Sequence, residues 1–248
     1  MLTPEEQAFL QKNFRLRPLA AADARSMPAE YVLNAKHCDA FLRLVMPLTG
    51  APDVAIAASL FAKRLAFLAT GNVLYAMSVF DSGLTFSLSR SRLEYAHDNG
   101  LWTSSLPADT LVTCYLPGER DAWREEVVSA LFRGFLSPLW QSLAGVSGLP
   151  IQILWENTAM RVFSLYQGRM DRLDETQNER RDADFNWLIG QASPSLFGLS
   201  WNPLQRFRRP LQLNAAGKPV RFRRTCCFYY KATDPVEYCL NCPLCRPK

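Results

Sequence analysis

Five of the seven cysteines in this 248-residue chain fall between Cys226 and Cys245, and that cluster constrains the fold more than any other feature. Cys226 and Cys227 are adjacent. Eleven residues then lead to Cys239-x-x-Cys242, and Cys245 follows three positions later. The segment leading to the cluster contains no Asp or Glu between Asp184 and Asp234, while Arg206, Arg208, Arg209, Lys218, Arg221, Arg223, Arg224 and Lys231 lie inside that interval. Pro194, Pro203, Pro210 and Pro219 punctuate it. A stretch this short and basic cannot build a core of its own and needs a metal centre and a surface to dock on. The reading is therefore a two-part chain, with a body over 1–204 and a cysteine-bearing C-terminal module over 205–248.

Zinc is normally held by two Cys-x(2–4)-Cys knuckles, each with room to turn both thiolates onto one tetrahedral ion. Adjacent cysteines fit that poorly, because side chains of neighbouring extended residues point to opposite faces. A [4Fe–4S] run needs a fourth cysteine after Cys239, Cys242 and Cys245, and none follows. A [2Fe–2S] rhombus is wider and presents four thiolate positions on two irons. Residue types alone leave an iron–sulfur cluster, zinc and no metal all open. A disulfide framework belongs to oxidising compartments, and the start, MLTPEEQAFLQKNF, has no basic region followed by an apolar run. The apolar stretch Val54 to Ala69 is broken by Lys63 and Arg64, short of the roughly 20 apolar residues of a membrane span. The expectation is a cytoplasmic protein without stable membrane insertion.

Hydrophobic residues make up 48% of the chain and charged residues 21%, enough for a substantial core, and the net charge of +5 is too dilute to argue for nucleic acid. The fold class expected is α+β, a mostly helical body with a small antiparallel sheet. Helices are expected over 4–14, opened by Thr3 and Pro4, over 29–45, over 53–69 with Gly71 as the stop, over 121–135 with Pro138 as the break, over 151–166 and over 171–190. The sheet is expected from residues 72–89, read as a hairpin around Asp81-Ser82-Gly83, and from 110–116. Cys38 and Cys114 read as small buried apolar residues. His37 and His97, the only histidines, are too remote in sequence from the cysteines to suggest a Rieske-type centre. No glycine-rich phosphate loop is present, so electrons must come from another protein rather than a bound nucleotide.

Arg-Arg-Thr-Cys-Cys-x-Tyr-Tyr followed by Tyr-Cys-x-x-Cys-Pro-Leu resembles the C-terminal signature of the FhuF-type ferric-siderophore reductases. LWENTAMRVFSLY resembles that family's Trp-x-Asn helix, and NPLQRFRRP the segment leading to its cluster. The resemblance covers about the last 100 residues of the sequence. It implies a [2Fe–2S] cluster on Cys226, Cys227, Cys239 and Cys242. The chain departs from the family's Cys-Cys-x10-Cys-x2-Cys pattern by one extra loop residue, and Cys245 is an additional thiol. The implied activity is one-electron reduction of a ferric siderophore, of hydroxamate type, with a ferredoxin-like protein as donor.

Arg223 and Arg224 are candidates for tuning the cluster or docking a partner, because a four-thiolate [2Fe–2S] centre is a dianion when oxidised and a trianion when reduced. Trp155 is expected in the core and Asn157 to bond across to the C-terminal module. Trp201, Phe228, Tyr229 and Tyr230 are expected to shield the cluster, the alternative being that they line a siderophore pocket. Two rival functions stand beside the reductase. One is a structural-zinc module binding protein or RNA through the basic interval. The other is an iron–sulfur electron carrier with no siderophore site.

Overall fold

Thr3 opens the first helix, α1 (Pro4–Phe14), through a reciprocal capping box: its hydroxyl accepts from the Glu6 N–H while the Glu6 carboxylate accepts from the Thr3 N–H. The computed structural model describes residues 2–98, 101–214 and 217–246. A 3-10 turn, Ala29–Leu33, precedes α2 (Ala35–Leu48), whose start is fixed by Asn34 accepting from Lys36 and His37. Pro47, expected to punctuate, lies within the last turn of α2.

The centre of the fold is α3 (Val54–Ser78), capped by Asp53. This 25-residue helix runs straight through the predicted stop at Gly71 and through half of the predicted hairpin. The hairpin reading failed because α3 is buried on almost every side, so its apolar residues follow no helical period and the alternation of Val73, Tyr75 and Met77 imitates a strand. Gly71 is required for packing: a Cβ there would stand 2.3 Å from Cδ1 of Phe14 on α1. By length and composition α3 could cross a membrane, yet 72% of its most apolar stretch is buried against other elements.

The antiparallel sheet content is real but made of fragments. Gly83–Thr85 pairs with Leu111–Thr113, Ser26–Pro28 with Arg92–Glu94, and His97–Asp98 with Leu101–Trp102. Leu16–Arg17 and Leu106–Pro107 add one parallel pair. Gln212–Leu213 and Pro219–Val220 pair antiparallel ahead of the cysteines.

Pro138 does not break the next helix. α4 (Arg120–Ser129) passes through a π-helical stretch, Ala130–Leu136, into α5 (Ser137–Ser147). The Ser137 N–H reaches back to the Phe132 carbonyl, one residue further than in an α-helix, and the wider turn relieves the clash a proline ring makes with the preceding turn. α6 (Ile151–Gly168) packs along α3. α7 (Glu175–Gly190) starts at a second capping box, Asp174 with Gln177, and the short α8 (Pro203–Phe207) is capped by Asn202. Asp184 of α7, fully buried, accepts from Arg120 at 2.8 and 2.9 Å, Arg124 at 3.2 Å and Ser78 at 2.9 Å, which ties α3, α4 and α7 together. Asp81, just beyond α3, pairs with Arg120 at 3.0 Å and Arg180 at 2.8 Å. Cys38 is buried as expected; Cys114 is exposed, because its segment ends an edge strand.

Candidate metal centre

Beyond Val220, the described residues of the C-terminal segment form only short 3-10 turns, Tyr229–Lys231 and Pro243–Cys245, and are held by side chains of α3 and α6. Glu156 of α6 is the main clamp. Fully buried, it accepts hydrogen bonds from the Arg224 N–H at 2.6 Å, the Thr225 N–H at 2.7 Å and the Thr225 hydroxyl. The Arg223 guanidinium lies 3.8 Å from the same carboxylate. From α3, the Ser59 hydroxyl donates to the Cys227 carbonyl at 2.9 Å. Asn157 does not reach the module itself; its amide donates to the Ser59 carbonyl and hydroxyl at 3.0 and 3.2 Å, one residue removed from the expected contact. Trp155 is fully buried, as expected.

This clamp brings Cys227 to Cys239 and places Cys242 within reach of both Cys226 and Cys245. The Cys227 and Cys239 sulfurs lie 3.2 Å apart, and the Cys226 thiol interacts with that of Cys242. The adjacent cysteines thus have different main partners, and Phe228 then kinks the backbone into the left-handed region at φ 61°. Among the described residues, no three His, Cys, Asp or Glu side chains converge on a point that one ion would fill. Cys227 and Cys242 are buried, Cys226 and Cys239 half-buried, and Cys245 exposed. Cys245 sits one 3-10 turn beyond Cys242.

The surroundings favour thiolate at Cys227. Lys63 of α3 places its ammonium 3.4 Å from the Cys239 sulfur and 3.9 Å from that of Cys227, and the Phe228 N–H donates to the Cys226 sulfur at 3.3 Å. The hydrogen bond from Cys239, then the charges of Lys63 and Arg223, outweigh burial and pull the Cys227 thiol down to about 5. The proton stays on Cys239, which is held above the ordinary thiol range by that same bond and by burial. Burial also raises Cys226. Arg223 is buried with Nε and Nη2 lacking any hydrogen-bond acceptor. A four-thiolate dianion beside it would meet that unfilled demand, so the donor set and its cations fit a [2Fe–2S] centre. Arg224, by contrast, is exposed.

Two clefts flank the thiols and share Lys63, Arg161 and Tyr229 as a common wall. One, of about 840 Å³, opens between α3, α6 and the tail and also holds Arg64, Phe67, Trp102 and Arg169. The other, of about 660 Å³, includes Cys239 and Arg221. Of the four aromatics named in the sequence, Tyr229 lines both clefts, Phe228 packs on the core, Tyr230 stacks on Tyr238, and Trp201 is engaged with Phe207 and Arg206. Lys63, Arg64, Arg161, Arg169, Ser59 and Glu156 were not singled out by the sequence reading. Their signal was present for Lys63, Arg64 and Glu156, which are charges set in helices otherwise apolar all round and therefore in need of a partner.

No curated protein matches the chain. Two family patterns do. Residues 223–244 match the FhuF 2Fe-2S C-terminal domain, the segment clamped by Glu156. Residues 59–218 match the ferric iron reductase FhuF-like transporter family, and this span, more than half of the chain, begins at the serine that holds Cys227. With a helical body, a docked four-thiol segment and both patterns in register with them, the chain belongs to the ferric iron reductase FhuF-like family and carries that family's [2Fe–2S] cluster.

Proposed function

We propose that this protein reduces the iron of a ferric siderophore by one electron in the cytoplasm, with the cluster held by Cys226, Cys227, Cys239 and Cys242 in a module spanning 205–248. The observation that carries the reading is the juxtaposition of paired, cation-flanked thiols with a cleft large enough for a small chelate. A bound [2Fe–2S] cluster supplies single electrons. The substrate Fe(III), gripped by hard oxygen donors, becomes Fe(II) on accepting one electron, and its lower charge loosens the chelate. A reduced ferredoxin-like protein replaces that electron, and no acid or base is required.

The chain's own residues prepare the site. Glu156 and Ser59 fix the backbone on either side of the adjacent cysteines. Lys63 and Arg223 oppose the negative charge that four thiolates bring together. Tyr229 and Lys63 separate the thiols from the larger cleft by a single layer of side chains, the Lys63 ammonium lying 5.1 Å from the centre of the Tyr229 ring.

Electron paramagnetic resonance of the dithionite-reduced protein tests the ligand set. Cys226→Ser, Cys227→Ser, Cys239→Ser and Cys242→Ser should each abolish or shift the signal, and Cys245→Ser should leave it unchanged. A colourless protein holding one tight zinc would end the reading. Turnover is tested by mixing the reduced protein with ferric siderophores and trapping Fe(II) with a chelator; release no faster than in the chelator-only control would reduce the protein to an electron carrier.

A further inference from the structure

The larger cleft has an unusual charge arrangement. The guanidiniums of Arg64, Arg161 and Arg169 gather around one ring, Phe67, at 5.5, 5.8 and 5.1 Å from its centroid. Arg64 spends its donors on the hydroxyl and carbonyl of Ser104, and Arg161 on the carbonyl of Lys63. Among the described residues, no carboxylate forms an ion pair with Lys63, Arg64, Arg161 or Arg169, whereas Arg17, Arg120, Arg124 and Arg180 elsewhere in the body all have one. The crowding has a cost that Glu94, acting on Arg64, and the Cys239 and Cys227 thiols, acting on Arg161, offset only in part. Burial, then Arg15 and Arg161, push the Arg64 guanidinium down to about 10, and burial and Arg169 lower that of Arg161. The carboxylates at the cleft, Asp234 and Glu237, are exposed on the tail side. The lining also presents the rings of Phe67, Trp102 and Tyr229.

We infer that this cleft binds a polyanionic ferric chelate with aromatic donor groups, a tris-catecholate in chemical class, placing its iron beside the Lys63 and Tyr229 wall. The inference rests on the reductase reading and narrows its substrate. A ferric tris-catecholate is a trianion whose rings stack on aromatic and guanidinium faces. It would supply a carboxylate-like counter-charge to Arg64, Arg161 and Arg169, while Lys63 faces the thiols. A ferric trihydroxamate is neutral or cationic and gains nothing from them, so the site departs from the hydroxamate expectation. The cleft is concave and of small-molecule size, unlike the flatter surface an acidic donor protein needs.

Binding is separated from electron transfer by using gallium(III), which is not reduced. Cluster-loaded protein is titrated calorimetrically with a gallium tris-catecholate and with a neutral gallium trihydroxamate. The trianion should bind about tenfold or more tightly, and the preference should shrink as ionic strength rises from about 0.05 M to about 0.5 M. Arg169→Gln, at an exposed position, and Arg64→Gln should each weaken trianion binding about tenfold while leaving the neutral complex unaffected. Arg221→Gln, which lines only the smaller cleft, should change neither. Equal affinity for the two complexes overturns the inference. So does a loss confined to Arg221→Gln, or unchanged chelate binding in Arg64→Gln and Arg169→Gln with slower electron delivery from a ferredoxin. Failure of the reductase reading looks different: charge-selective binding would persist while the dithionite-reduced protein released no Fe(II) from the iron complex.

Discussion

Glu156 is fully buried and accepts three hydrogen bonds from the Arg224–Thr225 turn, with Arg223 beside it. Glu156→Gln removes the negative charge facing Arg223 and turns one acceptor into a donor that clashes with the N–H groups it faces. The loss should be about 3 kcal/mol or more, since it strands a buried charge, and should show as a lower melting temperature together with reduced iron and labile sulfide per chain. Lys63 acts differently. Its ammonium favours whichever state of the thiol centre is more negative, so Lys63→Met should lower the midpoint potential by about 60 mV, one tenfold step in a one-electron equilibrium, measured by potentiometric titration followed by electron paramagnetic resonance. An unchanged potential would remove Lys63 from the account of tuning. The cysteines were legible in the sequence because a cluster needs several ligands close along the chain. The convergence of Lys63, Arg64, Glu156, Arg161 and Arg169 was not, because lone charges in apolar helices show only that a partner is needed, and these side chains meet only after α3 and α6 pack. Arg223 and Arg224 read alike in sequence, yet the structure separates them, one buried against Glu156 and the other exposed.

The packing of α1 on α3 depends on the missing side chain at Gly71. Gly71→Ala should destabilise the protein by about 1–3 kcal/mol through overpacking against the Phe14 ring. Phe14→Leu in the same chain should recover part of that loss, giving a coupling energy in a double-mutant cycle of thermal melts; strictly additive losses would show that the close approach is relieved elsewhere. The start of α1 was read correctly because a capping residue acts on its own first turn, as Thr3 does; the Asn34 and Asp174 caps were passed over, so α2 and α7 were expected to begin at 29 and 171 rather than at Ala35 and Glu175. The long central helix was cut short because glycine is a stop signal only where the chain needs its conformational freedom, and at Gly71 it is the neighbouring ring that requires it. Pro138 was misread for a related reason, since the π-helical turn before it absorbs the clash that normally ends a helix.

The body is held together by a charged web as well as by its apolar core. Asp184 joins Arg120, Arg124 and Ser78, and Asp81 joins Arg120, Arg180 and Tyr115. Asp184→Asn leaves two arginines under-neutralised and should cost about 3–5 kcal/mol, read as a lower melting temperature in the cluster-loaded protein. Burial raises the Asp81 carboxyl, but hydrogen bonds from Tyr115 and Arg120 and the charge of Arg180 outweigh it and hold the group below its ordinary value of 3.8. A depressed acid stabilises the fold above its unfolded pKa and ceases to do so as pH falls through the folded one. Thermal stability should therefore decline below about pH 4, and Asp81→Asn should be less stable at neutral pH with a shallower acid decline; an identical acid limb in the variant would assign the decline to other carboxylates. The mostly helical class was legible from periodicity, whereas the fragmentary strand pairs and the clefts were not, because they join segments that have no local pattern in common. Glu156 precedes Arg224 by 68 residues. A ribosome therefore delivers the receptacle on α3 and α6 well before the cysteines that fill it. Until they arrive, Glu156 is an anion awaiting its partners, and the newly made protein keeps an open seam where the finished one is sealed. The seam closes only when the Arg224 and Thr225 backbone reaches the Glu156 carboxylate and the Cys227 carbonyl reaches Ser59.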